Sequence, residues 1–270
     1  ININIYNYMR VSCIQLCSGK NIEKNWIFSK KLILKAIKQK SDFIITPETS
    51  SLFGLNKKEL LKKATSMSED FYLIEIKKLA KEYKKWILTC ITVKEQNKIK
   101  NRSVLVNPQG SVQIYYDKIH MYDAILSKKE KYFESKTFTS GKLIKTTKLP
   151  WGKLGLSICY DIRFPNMFRK LSKSGALFIS VPSAFTKTTG KKHWHSLLKA
   201  RAIENFCYIF APAQCGLHWN GRKTFGHSLI VSPDGKILKE LRSGTGIITA
   251  DINPNISKIL RKKIPSLSSD

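Results

Sequence analysis

Glu48, Lys118 and Cys159 are the residues of this chain whose types and positions could do chemistry together. Glu48 follows the apolar run Phe43 to Pro47, Lys118 comes just after the run Val112 to Tyr116, and Cys159 follows Leu154 to Ile158. A cysteine is only a few per cent thiolate at neutral pH, so a cysteine nucleophile needs a base or a cation nearby. The tetrahedral intermediate it forms needs a positive donor at its oxyanion. Glutamate, lysine and cysteine can supply base, oxyanion donor and nucleophile. Singly, each has a plainer reading: a buried structural thiol, a glutamate capping the next turn, one lysine among 40.

The elements around these residues repeat. From Arg10 the chain reads as a strand (Val11 to Leu16), then an amphipathic helix with Ile22, Trp26, Ile33 and Ile37 at helical spacing. The strand Phe43 to Thr46 follows and ends in Pro47. A second helical region ends in a helix behind a Ser68 cap, carrying Leu73, Ile76, Leu79 and Ala80, and leads into the strand Trp86 to Val93. A hairpin closes this half, Ser103 to Val106 and Val112 to Tyr116 around Asn107-Pro108-Gln109-Gly110, with Pro and Gly where a type I turn prefers them. The second half runs strand Leu154 to Ile158, helix Asn166 to Lys173, strand Leu177 to Val181, helix His193 to Asn205, strand Cys207 to Ala211. Its hairpin is His227 to Val231 and Lys236 to Leu241 around Ser232-Pro233-Asp234-Gly235, with a last strand at Gly246 to Asp251. Two such halves predict an α/β fold of two mixed sheets packed face to face with helices outside, a four-layer α-β-β-α sandwich. Sites in open α/β sheets gather beyond the carboxyl ends of strands, where Glu48 and Cys159 stand.

The segments carrying the three residues, Ile45-Thr46-Pro47-Glu48, Tyr116-Asp117-Lys118-Ile119-His120 and Ser157-Ile158-Cys159-Tyr160-Asp161-Ile162-Arg163-Phe164-Pro165, resemble the three catalytic signatures of the nitrilase (carbon-nitrogen hydrolase) superfamily, in order and with spacings of 70 and 41 residues. Ser183-Ala184-Phe185, Thr188-Thr189-Gly190, His193-Trp194, Ala200 to Asn205, Ala213 to Gly216 and Gly226-His227-Ser228 extend the likeness over nearly all of Met9 to Pro265. These later segments are most similar to the amidase branch that includes deaminated glutathione amidases and ω-amidases. The superfamily's α-β-β-α sandwich agrees with the repeat.

The resemblance implies roles. Cys159 would attack an amide carbonyl and Glu48 would act as general base and acid. Lys118 and the backbone N–H of Tyr160 would hold the oxyanion. Glu134 matches a further family glutamate and would orient Lys118 and substrate. Arg163 matches a position that can meet a substrate carboxylate, and Phe185 and Thr189 match pocket-lining positions. His195 departs from the pattern, since some relatives carry Glu after the Trp. Nitriles or N-carbamoyl compounds are the alternative substrates within the superfamily. Neither metal nor cofactor is implied, there being no zinc-ligand spacing and no Gly-rich phosphate cradle. A homodimer or a higher homo-oligomer is implied.

Composition bounds the remaining possibilities. At 270 residues with 42% hydrophobic side chains, the chain can bury a core, which excludes a disordered protein. We expect a single domain over 9–265, a disordered extension at 1–8 and a tail at 266–270. No run of about 18 apolar residues occurs and no secretion signal is evident, so no membrane span is expected. Six scattered cysteines then read as reduced thiols in a cytoplasm. The net charge of +29 comes from lysines spread along the chain, with only 8 arginines, and this argues against a specific nucleic-acid reader; that reading and a noncatalytic interaction module are the remote alternatives.

Overall fold

Alternation of side chains along the parallel strands sets the layering. The structure, a computed structural model, describes residues 8–269; the expected extension at 1–8, apart from Tyr8, and the last residue of the tail lie outside the described residues. The first half comprises β1 (Met9–Gln15), α1 (Ile22–Lys38), β2 (Phe43–Ile45), α2 (Lys57–Lys63), α3 (Phe71–Tyr83), β3 (Trp86–Glu95), β4 (Lys98–Val106) and β5 (Val112–Asp117). A ribbon of β6 (Asp123–Ile125) and β7 (Lys131–Phe133) leads to β8 (Thr146–Leu149). The second half comprises β9 (Gly152–Leu156), α4 (Pro165–Lys173), β10 (Ala176–Ser180), α5 (Lys187–Asn205) and β11 (Tyr208–Ala211). The ribbon β12 (Cys215–Leu217) and β13 (Lys223–Phe225) follows, then β14 (Ser228–Val231), β15 (Ile237–Leu241), β16 (Gly246–Ile252) and α6 (Asn255–Lys263).

Two six-stranded sheets result, ordered β16-β1-β2-β3-β4-β5 and β15-β14-β11-β10-β9-β8. In both, three consecutive parallel strands are flanked by antiparallel neighbours. The halves exchange an edge. β16, read from the sequence as the end of the second half, pairs antiparallel with β1 from Met9 opposite Ile252 to Gln15 opposite Gly246. The short β8, which has too little apolar pattern to be read as a strand, takes the matching place beside β9.

Val11, Cys13, Phe43, Ile45 and Leu88 share one core cluster with Leu154, Leu156, Phe178 and Phe210 of the other sheet. Phe43 and Phe210 meet edge to face at 6.2 Å. Their sequence neighbours Ile14, Ile44 and Ile87 join a second cluster with Trp26 and Ile33 of α1 and Tyr72 and Ile76 of α3. Period-two alternation therefore gives each first-half strand one face to the opposite sheet and one to the helices. Phe168, Leu171, Trp194 and Leu198 of α4 and α5 cover the second sheet. The result is the four-layer sandwich.

Both hairpin turns close as read. Gly110 and Gly235 have φ of +78° and +83°, and their N–H groups bond the carbonyls of Asn107 and Ser232 at 2.9 Å. Two local expectations change. α3 is capped by Asp70, whose carboxylate accepts from the Leu73 N–H at 2.8 Å, and not by Ser68, whose hydroxyl bonds Ser66. α5 starts at Lys187 behind the Thr186 cap, six residues before His193, because its first turns carry Thr, Gly and Lys and give no apolar period.

Candidate active site

Glu48, Lys118, Glu134 and Cys159 line one cavity of about 360 Å³ at the carboxyl ends of the parallel strands. Glu48 follows β2, and its backbone carbonyl accepts from Gln214 Nε2 at 3.0 Å. Lys118 follows β5, tied by its N–H to the Asn101 carbonyl at 3.0 Å and by its carbonyl to the Gly141 N–H at 2.7 Å. A Cβ on Gly141 would collide with the Asp117 carbonyl, so only glycine admits this close approach. Cys159 opens a 3-10 turn, Cys159–Arg163, beyond β9, in the left-handed region at φ +48°, with its N–H bonded to the Pro182 carbonyl at 2.9 Å. A non-glycine residue held there is strained, as is common where a nucleophile is presented on a sharp turn.

Lys118 Nζ donates to Glu48 Oε1 at 2.8 Å and to Glu134 Oε1 and Oε2 at 2.8 and 2.7 Å. Asn101 Nδ2 also donates to Glu48 Oε1 at 2.8 Å, and the Ala184 N–H donates to Oε2 at 2.7 Å. Glu134 accepts a further bond from the Tyr122 N–H at 2.6 Å. Burial opposes ionisation of Glu48, but the charge and hydrogen bond of Lys118, the Cys159 thiol and the charge of Arg222 outweigh it, so the carboxyl sits below its ordinary value. Burial also opposes the Lys118 charge, yet Glu134 and Glu48 hold the ammonium well above the usual lysine value. The Cys159 thiol is raised as well, by burial and the Glu48 charge, against Lys118, and for a thiol this favours the neutral form. The site therefore rests as carboxylate, ammonium and neutral thiol. It can transfer a proton from sulfur to Glu48 as sulfur attacks a carbonyl, with the ammonium beside the oxygen that becomes negative.

Asp161 joins two of the motifs. Its carboxylate accepts from Tyr116 Oη at 2.7 Å, from the N–H groups of Ile158 at 2.9 Å and His120 at 3.1 Å, and lies 2.7 Å from His120 Nδ1. It is fully buried.

The remaining sequence candidates lie on the other side of Cys159. Tyr160, Phe185 and Thr189 line a small pocket with Tyr122, Ala184 and Thr186. The Tyr160 N–H is among the donors that a helix start leaves without helical partners, as an oxyanion site requires. Thr189 Oγ1 bonds Thr186 Oγ1 at 2.7 Å, within the α5 cap. Phe185 packs on Trp194 at 5.0 Å. Arg163 lines neither space: its Nη2 donates to His193 Nδ1 at 3.1 Å, and its guanidinium carbon lies 5.3 Å from the Phe185 ring centre. Burial, then the charges of Arg163 and Lys192, hold His193 below its ordinary value, which keeps the imidazole a neutral acceptor. His195 Nε2 lies 3.1 Å from Glu240 Oε1, which is also 2.6 Å from His227 Nδ1; none of the three lines the cavity.

Among the cavity residues that the sequence reading did not single out, Asn101 and Arg222 bear directly on Glu48. Asn101 interrupts a buried strand, and a buried amide needs partners, which is the signal that was there to be read. Arg222 lies in an irregular Gly- and Asn-containing segment with no pattern.

Residues 10–260 match the carbon-nitrogen hydrolase family. The chain belongs to that family. It is 37% identical over 270 residues to a deaminated glutathione amidase of Synechocystis sp., covering 95% of this chain and 96% of that one. The mouse deaminated glutathione amidase is 36% identical over 262 residues, covering 94% of this chain and 81% of its own. Among solved structures, Caenorhabditis elegans NitFhit superposes with a TM-score of 0.91 at 33% identity over 98% of this chain, which spans 65% of that longer protein. Saccharomyces cerevisiae Nit3, a member of branch 10 of the nitrilase superfamily, gives 0.85 at 26% identity, covering 96% of this chain and 95% of its own. This carbon-nitrogen hydrolase thus shares the sandwich of the superfamily over its length. Among the described residues no helix is long and apolar enough to cross a membrane, and all six cysteines are free thiols.

Proposed function

We propose that this hydrolase is an amidase that cleaves a small ω-amide of a carboxylic acid, such as deaminated glutathione, to acid and ammonia through a thioester on Cys159. The observation that carries this is one cavity in which a buried carboxylate and a buried ammonium flank a thiol. Sulfur attacks the amide carbon while its proton passes to Glu48. Lys118 and the Tyr160 N–H take up the charge on oxygen. All three Lys118 N–H bonds are directed at Glu48 and Glu134, so one of the two shared with Glu134 turns to the oxyanion. Glu48 returns the proton to nitrogen, the C–N bond breaks and ammonia leaves. Glu48 then takes a proton from water, hydroxide attacks the thioester, the C–S bond breaks and the proton returns to sulfur. Glu134 anchors Lys118, and Tyr160, Phe185 and Thr189 shape the narrow side of the site with Arg163 behind Phe185.

The reading of a single hydrolase domain over 9–265 is supported by elements that run from Met9 to Lys263. A homodimer is supported by the exposed Ile256, Ile259 and Ile264 along α6 and its end, and sedimentation or light scattering reads it directly. A cytoplasmic setting is supported by the six free thiols. Ammonia release from deaminated glutathione, α-ketoglutaramate, a neutral aliphatic amide, a nitrile and an N-carbamoyl amino acid tests the activity. Turnover of amides, lost in Cys159→Ala with folding retained, is the expected result; preference for the nitrile or the carbamoyl compound overturns the amidase reading, and turnover unaffected by Cys159→Ala overturns the mechanism.

A further inference from the structure

The reacting cavity opens beside a second, larger one of about 610 Å³, and the two share Lys131, Tyr132, Asn220 and Arg222. Around this antechamber stand six lysines, 129, 131, 187, 191, 192 and 223, and Arg222, against the single carboxylate of Glu130. Glu130 is engaged by hydroxyls, Tyr132 Oη at 3.0 Å and Thr188 Oγ1 at 2.8 Å. Lysines are scattered over the whole chain, so their number alone decides nothing. Arg222 does, for it stands where the antechamber meets the cavity of Cys159.

Arg222 is fixed there. Its Nη2 donates at 2.8 Å to the carbonyl of Ala184, the residue whose N–H holds Glu48. Its guanidinium carbon lies 5.2 Å from the ring centres of both Phe53 and Tyr132. The ribbon that carries it is pinned on both sides, by Trp219 Nε1 to the Phe53 carbonyl at 2.9 Å and by the Phe225 N–H to the Phe185 carbonyl at 2.9 Å. Yet Arg222 Nε is buried and among the described residues has no partner. A buried donor without an acceptor is costly, and a guanidinium that lines both spaces with Nη2 held on Ala184 and Nε unmet suits a carboxylate.

We infer that the antechamber is the subsite for a carboxylate at the far end of the substrate, with Arg222 as the contact that selects it and the lysines drawing the anion in. This rests on the amidase reading and assigns the carboxylate contact to Arg222 in place of Arg163, which is turned to His193.

The test pairs glutaramate with pentanamide, which differ in a terminal carboxylate against methyl. Arg222→Ala is expected to lower the ratio of kcat/KM for glutaramate to that for pentanamide about 10- to 150-fold, the range for a charge-assisted contact. Arg222→Lys should recover only part, since a point charge lacks the fork. Arg163→Ala should leave the ratio within about twofold. Raising salt should raise the wild-type KM for glutaramate more than that for pentanamide. A ratio unchanged in Arg222→Ala, or one lost in Arg163→Ala alone, overturns the inference. Calorimetry of glutarate with Cys159→Ala reads the subsite without turnover: binding weakened tenfold or more by added Arg222→Ala supports it, and undiminished binding overturns it. Absence of ammonia from every amide, with Arg222-dependent glutarate binding retained, instead counts against the amidase reading alone.

Discussion

Tyr116 donates its hydroxyl to Asp161 at 2.7 Å, and this one bond links the strand before Lys118 to the turn that carries Cys159. Each partner stands two residues from a member of the proposed triad, so the bond fixes the separation of the Lys118 ammonium and the Cys159 sulfur across two sheets. Burial, and then the negative Asp161, raise the Tyr116 hydroxyl well above the usual tyrosine value, so it stays a proton donor at any working pH. Tyr116→Phe leaves Asp161 with one donor fewer and should cost about 1–3 kcal/mol of stability. Because reacting geometry is lost, kcat should fall at least tenfold with little change in KM. Denaturant unfolding and steady-state kinetics check both; unchanged kcat would show that the His120 and Ile158 bonds suffice.

Asp70 yields a stability prediction with a definite sign. It is 1% exposed, and burial raises its carboxyl from 3.8 to about 6, against the N–H bonds of Leu73 and Tyr72. Between those two values the folded protein binds more protons than the unfolded chain, so this group's contribution falls as pH rises from about 4 to about 6. Asparagine caps a helix as well as aspartate and carries no charge to bury. Asp70→Asn should therefore add up to ~3 kcal/mol at pH 8 and only about 1 kcal/mol near pH 4.5. Urea unfolding at the two pH values decides, and a variant weaker than wild type at pH 8 would show that the helix dipole holds the carboxylate more strongly than burial opposes it.

The fold was legible because apolar strands and amphipathic helices recur in the same order twice, each obeying its own period. The exchanged edges were not: β16 pairs with β1 across 241 residues between Arg10 and Asp251, and no local pattern reports such a partner. Glu48 and Cys159 were legible because each is a polar residue at the abrupt end of an apolar strand. Asn101 was hidden inside a strand, and Arg222 in a ribbon whose place is set by tertiary contacts to Phe53, Ala184 and Phe185. The contrast between 40 lysines and 8 arginines was itself informative. Arg10 and Arg102 fork onto Asp251 and Asp117, Arg201 and Arg261 hold buried carbonyls, and Arg222 holds Ala184. A fork keeps its place where geometry matters, while solvated faces accept lysine.

Glu134 is the first of the charges that raise Lys118. Glu134→Gln keeps an acceptor for the Tyr122 N–H and removes that charge. Lys118 should then lose its proton more readily, so the alkaline limb of the kcat profile should move down. The rate on the plateau should fall roughly 10²-fold, as for loss of an oriented oxyanion donor. A purely structural glutamate would lower the rate without moving the limb, so the pH profile separates the two roles.

The pH profile of the wild-type enzyme follows from the resting charges. Glu48 lies below its ordinary value because Lys118, Cys159 and Arg222 together outweigh burial, so the proposed base stays ionised until well into the acid range. The Cys159 thiol is pushed up by burial and by Glu48, and Lys118 is held up by Glu134 and Glu48, so neither loses its proton near neutrality. In the proposed mechanism the reactive form is carboxylate, thiol and ammonium together, and kcat/KM for a neutral amide should be flat from about pH 5 to about pH 9, the acid limb belonging to Glu48 and the alkaline one to the Cys159 and Lys118 pair. An enzyme that needed a preformed thiolate would instead gain rate tenfold per pH unit up to a break near the free-thiol value of about 8.5. Glu48→Gln should lower kcat by at least 10²- to 10⁴-fold across the plateau, and what activity is left should rise with pH, because without the carboxylate only spontaneous ionisation supplies the nucleophile. Rates measured with pentanamide in buffers of constant ionic strength decide between the two forms: a wild-type limb rising through neutrality, matched by a Glu48→Gln variant of near-normal rate, would remove Glu48 from the proton transfer and leave Cys159 acting as a thiolate on its own.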